Sequence, residues 1–205
     1  MNRLAAGLLL PLLLLTAACT STEEPPKPSE PVAAPFADCA GLTGPPKNSS
    51  TGRPTSGTAA PADAVRALPD VQLPCFTGGA EVPVDELRGP AVINVWASWC
   101  PPCRKELPAF QRLADRAGDR VHVVGVNTRD DRDAAVSAAN DLGLTFPNLF
   151  DRSEKLRSKL QRSGLPITVF VDGQGRIRHV DTSGALDDTT LASLVDRHLG
   201  VATAL

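Results

Sequence analysis

Cys100 and Cys103 bracket two prolines in the run Trp99-Cys100-Pro101-Pro102-Cys103. Two thiols at this spacing can close a disulfide with each other and exchange it with a disulfide from outside. The preceding apolar run Ala91-Val92-Ile93-Asn94-Val95-Trp96 predicts a strand, followed by a short Ala97-Ser98 turn. Pro101 and Pro102 fit the first turn of a helix, where the missing N–H would be unpaired anyway. Cys100 is therefore expected near the positive end of a helix, where its thiolate is favoured and can act as nucleophile. Cys103, about one turn along the same face, is the resolving thiol. The rival chemistry is half a zinc site, but no second Cys pair or His pair stands at ligand spacing. No metal and no cofactor are expected.

The chain has 205 residues, enough for one domain plus extensions. Hydrophobic residues make up 42% and charged residues 21%, as in ordinary globular proteins. A net charge of −2 with interspersed signs offers no basic patch for nucleic acid, so no nucleic-acid partner is expected.

Residues 1–18 read as an export signal: Arg3, then the apolar run from Leu4 to Leu15, then small residues up to Ala18. The run is short for a membrane span, which needs about 20 residues. Thr16 and Ala18 satisfy the rule for ordinary secretion. Cys19 directly afterwards resembles the bacterial lipobox, in which that cysteine is lipidated, although Thr16 stands where such boxes usually carry Leu. Five cysteines are odd for an exported protein, and setting Cys19 aside leaves four that can pair. The expected location is the extracytoplasmic face of a bacterial membrane, lipid-anchored, with secretion as the alternative. Residues 19–63 then form a Pro/Ser/Gly-rich tether containing Cys39.

If Cys100 pairs with Cys103, Cys39 either pairs with Cys75 or both stay free. Oxidising surroundings favour the bond, which is read as a structural disulfide worth about 3–4 kcal/mol at most by loop entropy. A second redox pair is the sharper alternative, with no helix terminus behind it.

The main domain is expected over 64–202. Short strands are read near 71–73 and 80–84, with a turn at 85–89. A helix follows from 101 to 117, which Pro108 should kink and Gly118 stops. A buried strand at 121–126, a helix at 131–142, a strand at 146–150 and a helix at 153–160 come next. A hairpin at 167–180 turns at Asp172-Gly173-Gln174-Gly175, and a helix at 187–199 closes the chain. This order gives an α/β fold: a mixed central sheet with helices on both faces.

The run Val95-Trp96-Ala97-Ser98-Trp99-Cys100-Pro101-Pro102-Cys103-Arg104-Lys105-Glu106-Leu107-Pro108, with Ser163-Gly164-Leu165-Pro166-Ile167-Thr168-Val169-Phe170-Val171-Asp172 further on, resembles the thioredoxin superfamily. Within it the chain is similar to the TlpA/ResA-like extracytoplasmic thiol–disulfide oxidoreductases, over roughly residues 64–200. The helix–strand element at 131–150 matches the insertion of that branch. The resemblance implies a thioredoxin-like fold and a cis Leu165–Pro166 bond beside the cysteines. It makes Trp99, Pro101, Pro102, Leu165 and Pro166 the substrate-binding surface. Asn94 stands where cytoplasmic thioredoxins carry a buried Asp, and an Asn cannot take up a proton. Glu106, three residues after Cys103 on the same helix face, is assigned as the acid/base.

Pro101 and Pro102 delete two N–H donors that could have stabilised the Cys100 thiolate, and no Lys or His stands between the cysteines. Both facts point to a reducing pair. The resemblance implies a protein-disulfide reductase taking electrons from a membrane thiol carrier and opening disulfides in exported proteins, apocytochrome c among them. A dithiol oxidase or isomerase, a peroxiredoxin-like peroxidase, and a copper-binding module joining the cysteines to His179 are the alternatives.

Overall fold

All six residues of β4 (Ala91–Trp96) are buried, which a strand achieves at the centre of a sheet covered on both faces. The computed structural model describes residues 33–48 and 66–203. The other strands are β1 (Arg66–Ala67), β2 (Gln72–Leu73), β3 (Val82–Pro83), β5 (His122–Thr128), β6 (Asn148–Asp151), β7 (Ile167–Val171) and β8 (Arg176–Asp181). The helices are α1 (Pro101–Ala117), α2 (Arg132–Leu142), α3 (Lys155–Leu160) and α4 (Asp188–Leu199). Strands β1-β8-β7-β4-β5-β6 form one sheet in that order, and β2 and β3 a small second one. β4, β5 and β6 run parallel, joined through α1 and α2; β7, β8 and β1 add antiparallel on the other side. The fold is thioredoxin-like, a mixed sheet with helices on both faces.

The two faces follow from the period-2 alternation of strand side chains. Val92 and Trp96 of β4 point into the core shared with α1, α2 and α4. Ala91, Ile93 and Val95 point into the opposite core, which holds Leu156 and Leu160 of α3. Asn94 keeps the alternation but places a polar group among the α1 residues, and it becomes part of the site. The α1 and α4 ends are tied by Asp188, which accepts from Arg112 and Arg116 at 2.6 Å each. The hydrogen bond from Arg112 holds its carboxyl down to about 2.

Most sequence expectations map onto these elements with small shifts. Asp131 and Asp187 stand outside their helices as N-caps: Asp131 accepts from Asp133 and Ala134, and Asp187 from Thr190. The strand expected at 146–150 and helix at 153–160 begin two residues later. Asp151 at the strand's end is buried and accepts from the Lys155 and Leu156 amides at 2.9 Å. That carboxylate fixes where α3 starts. The expected strand at 80–84 shortens because residues 84–86 turn into a single 3-10 turn. The helix assignment of α1 continues through Pro108 to Ala117.

Packing also involves described residues ahead of 64, within the segment read as tether. Phe36, Cys39 and Leu42 are all buried in the two cores. The Ala37 amide donates to Thr145 (2.7 Å), the Arg88 amide to Leu42 (3.1 Å) and the Asn48 amide to Asp119 (2.9 Å). A disulfide joins Cys39 to Cys75 across a separation of 36 residues. Cys75 lies in a stretch that covers the open edge of β6, through Phe150 N to Pro74 O and Phe76 N to Asn148 O, both 2.9 Å. Edge-on contacts of Phe76 with Phe36 (4.9 Å) and Phe150 (5.2 Å) complete this flank. The expected signal at 1–18 and the lipidation site Cys19 lie outside the described residues. Among the described residues no helix is long and apolar enough to cross a membrane.

Gly125 on β5 is required by close approach. A Cβ there would lie 1.8 Å from Asn148 Oδ1, the atom that accepts from the buried Trp96 indole at 2.8 Å.

Two measurements check these supports. The double substitution Cys39→Ser/Cys75→Ser should lower unfolding stability by about 2–4 kcal/mol, read by denaturant titration with unchanged far-ultraviolet dichroism. Gly125→Ala should cost about 2 kcal/mol or more, since the buried Trp96–Asn148 hydrogen bond must yield; a loss under a few tenths would show that Asn148 can move freely.

Candidate functional site

Cys100 is the N-cap of α1, with extended backbone (φ −94°), and Pro101 and Pro102 occupy the first helical positions. Its Sγ accepts from the Cys103 amide at 3.3 Å, filling the place an Asp or Ser side chain takes in an ordinary cap. The two cysteines are joined by a disulfide, Cα–Cα 5.3 Å. Cys103 is fully buried and Cys100 is 3% exposed, so the pair presents one sulfur edge to the outside.

That edge opens on a groove of about 320 Å³. One wall is Trp99, Pro101 and Pro102; the others are Thr128 and Arg129 after β5, Glu154 and Arg157 around α3, and Ser163-Gly164-Leu165. Leu165 precedes a cis bond to Pro166, and Pro166 itself is buried. Of the residues assigned to the substrate surface, Trp99, Pro101, Pro102 and Leu165 line the groove; Pro166 is not among its lining residues. Trp99 is the large apolar side chain left exposed among the described residues, at 56%.

The approach to Cys100 is held by a carboxylate that sequence reasoning missed. Asp130 accepts from the Ser98 amide (2.5 Å), the Ser98 hydroxyl (2.7 Å), Asn127 Nδ2 (2.7 Å) and the Asp131 amide (2.9 Å). It thus pins the turn before Cys100 to the end of β5. The Trp99 indole donates to the Arg129 carbonyl at 2.9 Å, adding a second tie. Arg129 (φ 48°) and Glu154 (φ 57°) both adopt left-handed backbone, which costs a non-glycine residue about 1–3 kcal/mol. Their side chains meet in an ion pair at 3.1 Å, and Arg157 pairs with the same Glu154.

Glu106 is 1% exposed, the one buried glutamate among the described residues. Its Oε1 accepts from Asn94 Nδ2 at 2.6 Å and its Oε2 from the Leu186 amide at 3.0 Å. Burial raises its carboxyl to about 7, opposed by those two hydrogen bonds and aided by the negative charge of Asp181. Glu106 lies three residues after Cys103 on the same helix.

The histidines take other places. His122 contacts the Gly44 carbonyl at 3.1 Å. His179 and His198 stack face to face (4.2 Å, 6°) on Phe170. Burial, then the neighbouring His179, lowers the His198 ring from its usual value. Among the described residues, no three His, Cys, Asp or Glu side chains converge to hold a metal.

A disulfide-forming cysteine pair at a helix N-terminus, opening on a groove, has the geometry of a thiol–disulfide site. Residues 65–180 match the model of the AhpC/TSA family, and the chain belongs to that family within the thioredoxin superfamily. A curated relative, the thiol:disulfide interchange protein DsbE of Yersinia pestis, is 43% identical over 91 residues, covering 44% of this chain and 47% of its own. The DsbE of Vibrio cholerae is 38% identical over 117 residues, covering 55% and 62%. The chain thus spans about half the length of several curated relatives it matches. Among solved structures, a secreted Mycobacterium tuberculosis disulfide oxidoreductase homologous to Escherichia coli DsbE superposes with a TM-score of 0.55 at 27% identity, over 62% of this chain and 94% of that one. StoA from Bacillus subtilis gives 0.50 at 26% identity, over 62% and 93%.

The raised Glu106 carboxyl makes stability depend on pH. Its folded value of about 7 lies above the ordinary 4.5, so the folded state holds a proton that the unfolded chain has released. Its stabilising share is complete below pH 4.5 and is lost as pH rises through 7, by about 3 kcal/mol. Glu106→Gln should remove that loss, so denaturant midpoints of the oxidised protein should become flatter across this window. An unchanged slope would mean that Glu106 titrates as an exposed carboxyl.

Proposed function

We propose that this protein is a thiol–disulfide oxidoreductase that reduces disulfides in exported proteins. The observation that carries the reading is Cys100 Sγ capping α1 at the floor of a groove, with the buried, near-neutral Glu106 one turn beyond Cys103. In the reduced enzyme the Cys100 thiolate attacks one sulfur of a target disulfide. A mixed disulfide forms and the other target sulfur leaves as thiolate. The Cys103 thiol gives its proton to the Glu106 carboxylate, and its sulfur then attacks Cys100. The Cys100–Cys103 disulfide closes and the second target sulfur leaves. Two electrons pass to the target, and protons from Glu106 and solvent complete its thiols.

The donors at Cys100 support the reducing direction. Among the described residues only the Cys103 amide points at its sulfur, since Pro101 and Pro102 have no N–H. A thiolate with one backbone donor and no cationic side-chain partner is weakly stabilised, which favours a reducing pair. Trp99, Pro101, Pro102 and Leu165 are assigned to contact the substrate segment.

The export signal at 1–18 supports an extracytoplasmic location, and Cys19 supports a lipid anchor holding the domain at the membrane. A membrane thiol carrier is the donor consistent with that placement. Apocytochrome c is the substrate suggested by resemblance to TlpA/ResA-like proteins.

The test is trapping. With the full chain, Cys103→Ser should accumulate a mixed disulfide with a disulfide-bearing peptide, seen by mass, while Cys100→Ser forms none and both lose turnover. Turnover that survives in Cys100→Ser, or a wild type that consumes hydrogen peroxide faster than disulfide, contradicts the reading.

A further inference from the structure

The wall of the groove formed by Arg129 and α3 carries charge that the exchange chemistry does not use. Glu154 is fully engaged: one oxygen meets Arg129 Nε at 3.1 Å and the other meets Arg157. Arg157 is also committed, donating through Nη1 to the Arg162 carbonyl at 2.9 Å. Arg129 is different. Its side chain is 71% exposed, and among the described residues its terminal nitrogens hold no partner. The two acids that follow it are occupied elsewhere: Asp130 accepts from Ser98 and Asn127, and Asp131 caps α2. The cationic excess continues along the outer surface through exposed Arg152, Lys155, Lys159 and Arg162. This clustering stands out in a chain whose net charge is −2.

We propose that Arg129 is a specificity residue: it takes a carboxylate flanking the target disulfide, so the preferred substrate is an extended segment with Asp or Glu beside its reacting cysteine. The inference rests on the reductase reading and names its substrate class. Arg129 lines the same groove as Cys100, so a segment whose sulfur meets Cys100 lies in a groove that Arg129 borders. The ion pair with Glu154 fixes the guanidinium at Nε and leaves its planar outer edge available for two parallel hydrogen bonds to a carboxylate. The cations of the α3 surface add longer-range attraction for an acidic partner. A protein segment is favoured over a lipid surface because the charge is continuous with the groove in which a disulfide must sit.

The test uses the full chain, reduced beforehand, and two peptides with one identical disulfide flanked by Glu or by Lys. Single-turnover oxidation, followed by tryptophan fluorescence, should be about tenfold faster with the Glu peptide at low salt. That ratio should shrink at high salt. Arg129→Gln should reduce the ratio by about threefold or more, while Arg176→Gln on β8, outside the groove, should keep it. Equal rates for both peptides, or a ratio untouched by Arg129→Gln, would overturn the inference and leave the reductase reading intact. Oxidation by neither peptide would instead overturn the reductase reading. Binding to phosphatidylglycerol vesicles without any peptide preference would assign the basic surface to lipid and overturn the inference as well.

Discussion

A glutamate carboxyl closed off from water must lose its charge, find hydrogen-bond donors, or both. Glu106 has two donors and a carboxyl raised to about 7, and the site is arranged around it. Its two donors come from different layers, Asn94 on the central strand and the Leu186 amide ahead of α4. One side chain on α1 is thereby fastened to the sheet and to the closing helix. Asn94 suits this place because its amide donates, whereas an Asp would set a second carboxylate against the first. Asn94, which stands where cytoplasmic thioredoxins carry a buried Asp, and Glu106 are thus one hydrogen-bonded unit, with its carboxyl on the helix rather than on the strand.

The sheet supplies the precision that this arrangement needs. β4 is central because all its residues are buried, and its alternation sends Asn94 and Trp96 to the same face as α1. Trp96 is held through Asn148, which Gly125 leaves room for. The C-terminal ends of β4 and β5 then bring Ser98 and Asp130 together, and Asp130 fixes the turn that delivers Cys100. Strained backbone at Arg129 and Glu154 collects on the groove, where strain commonly accompanies function. Cys100, Cys103 and Glu106 sit at the start of α1 directly after β4, and the remaining walls of the groove come from the segments after β5, around α3 and before β7.

Much of this was legible in the sequence because its signals are local. Proline at the first helical positions, the helical spacing that set helices at 131–142 and 187–199 to within a residue, and the apolar run of β4 each act within a few residues. The Cys100–Cys103 pair and the placement of Glu106 on its face follow from helical spacing. What was not legible depends on contacts between distant segments. Residues 33–48 are rich in proline, glycine and polar side chains and have no period. Their burial rests on single anchors, Phe36, Cys39 and Leu42, that only the folded partner surfaces reveal. Asp130 looks like one of two adjacent acids before a helix, and nothing local says that it turns back to Ser98. The left-handed backbone at Arg129 and Glu154 likewise has no glycine or asparagine to announce it.

The central proposal is a reducing dithiol, built on the single backbone donor to Cys100 Sγ and the buried Glu106 on the same helix as Cys103. The most direct measurement is the reduction potential of the Cys100–Cys103 pair, from tryptophan fluorescence in graded thiol buffers. A value near that of thioredoxin, about −270 mV, is the predicted result. A value near the strong-oxidant end, about −120 mV, would contradict the account and make the protein a donor of disulfides.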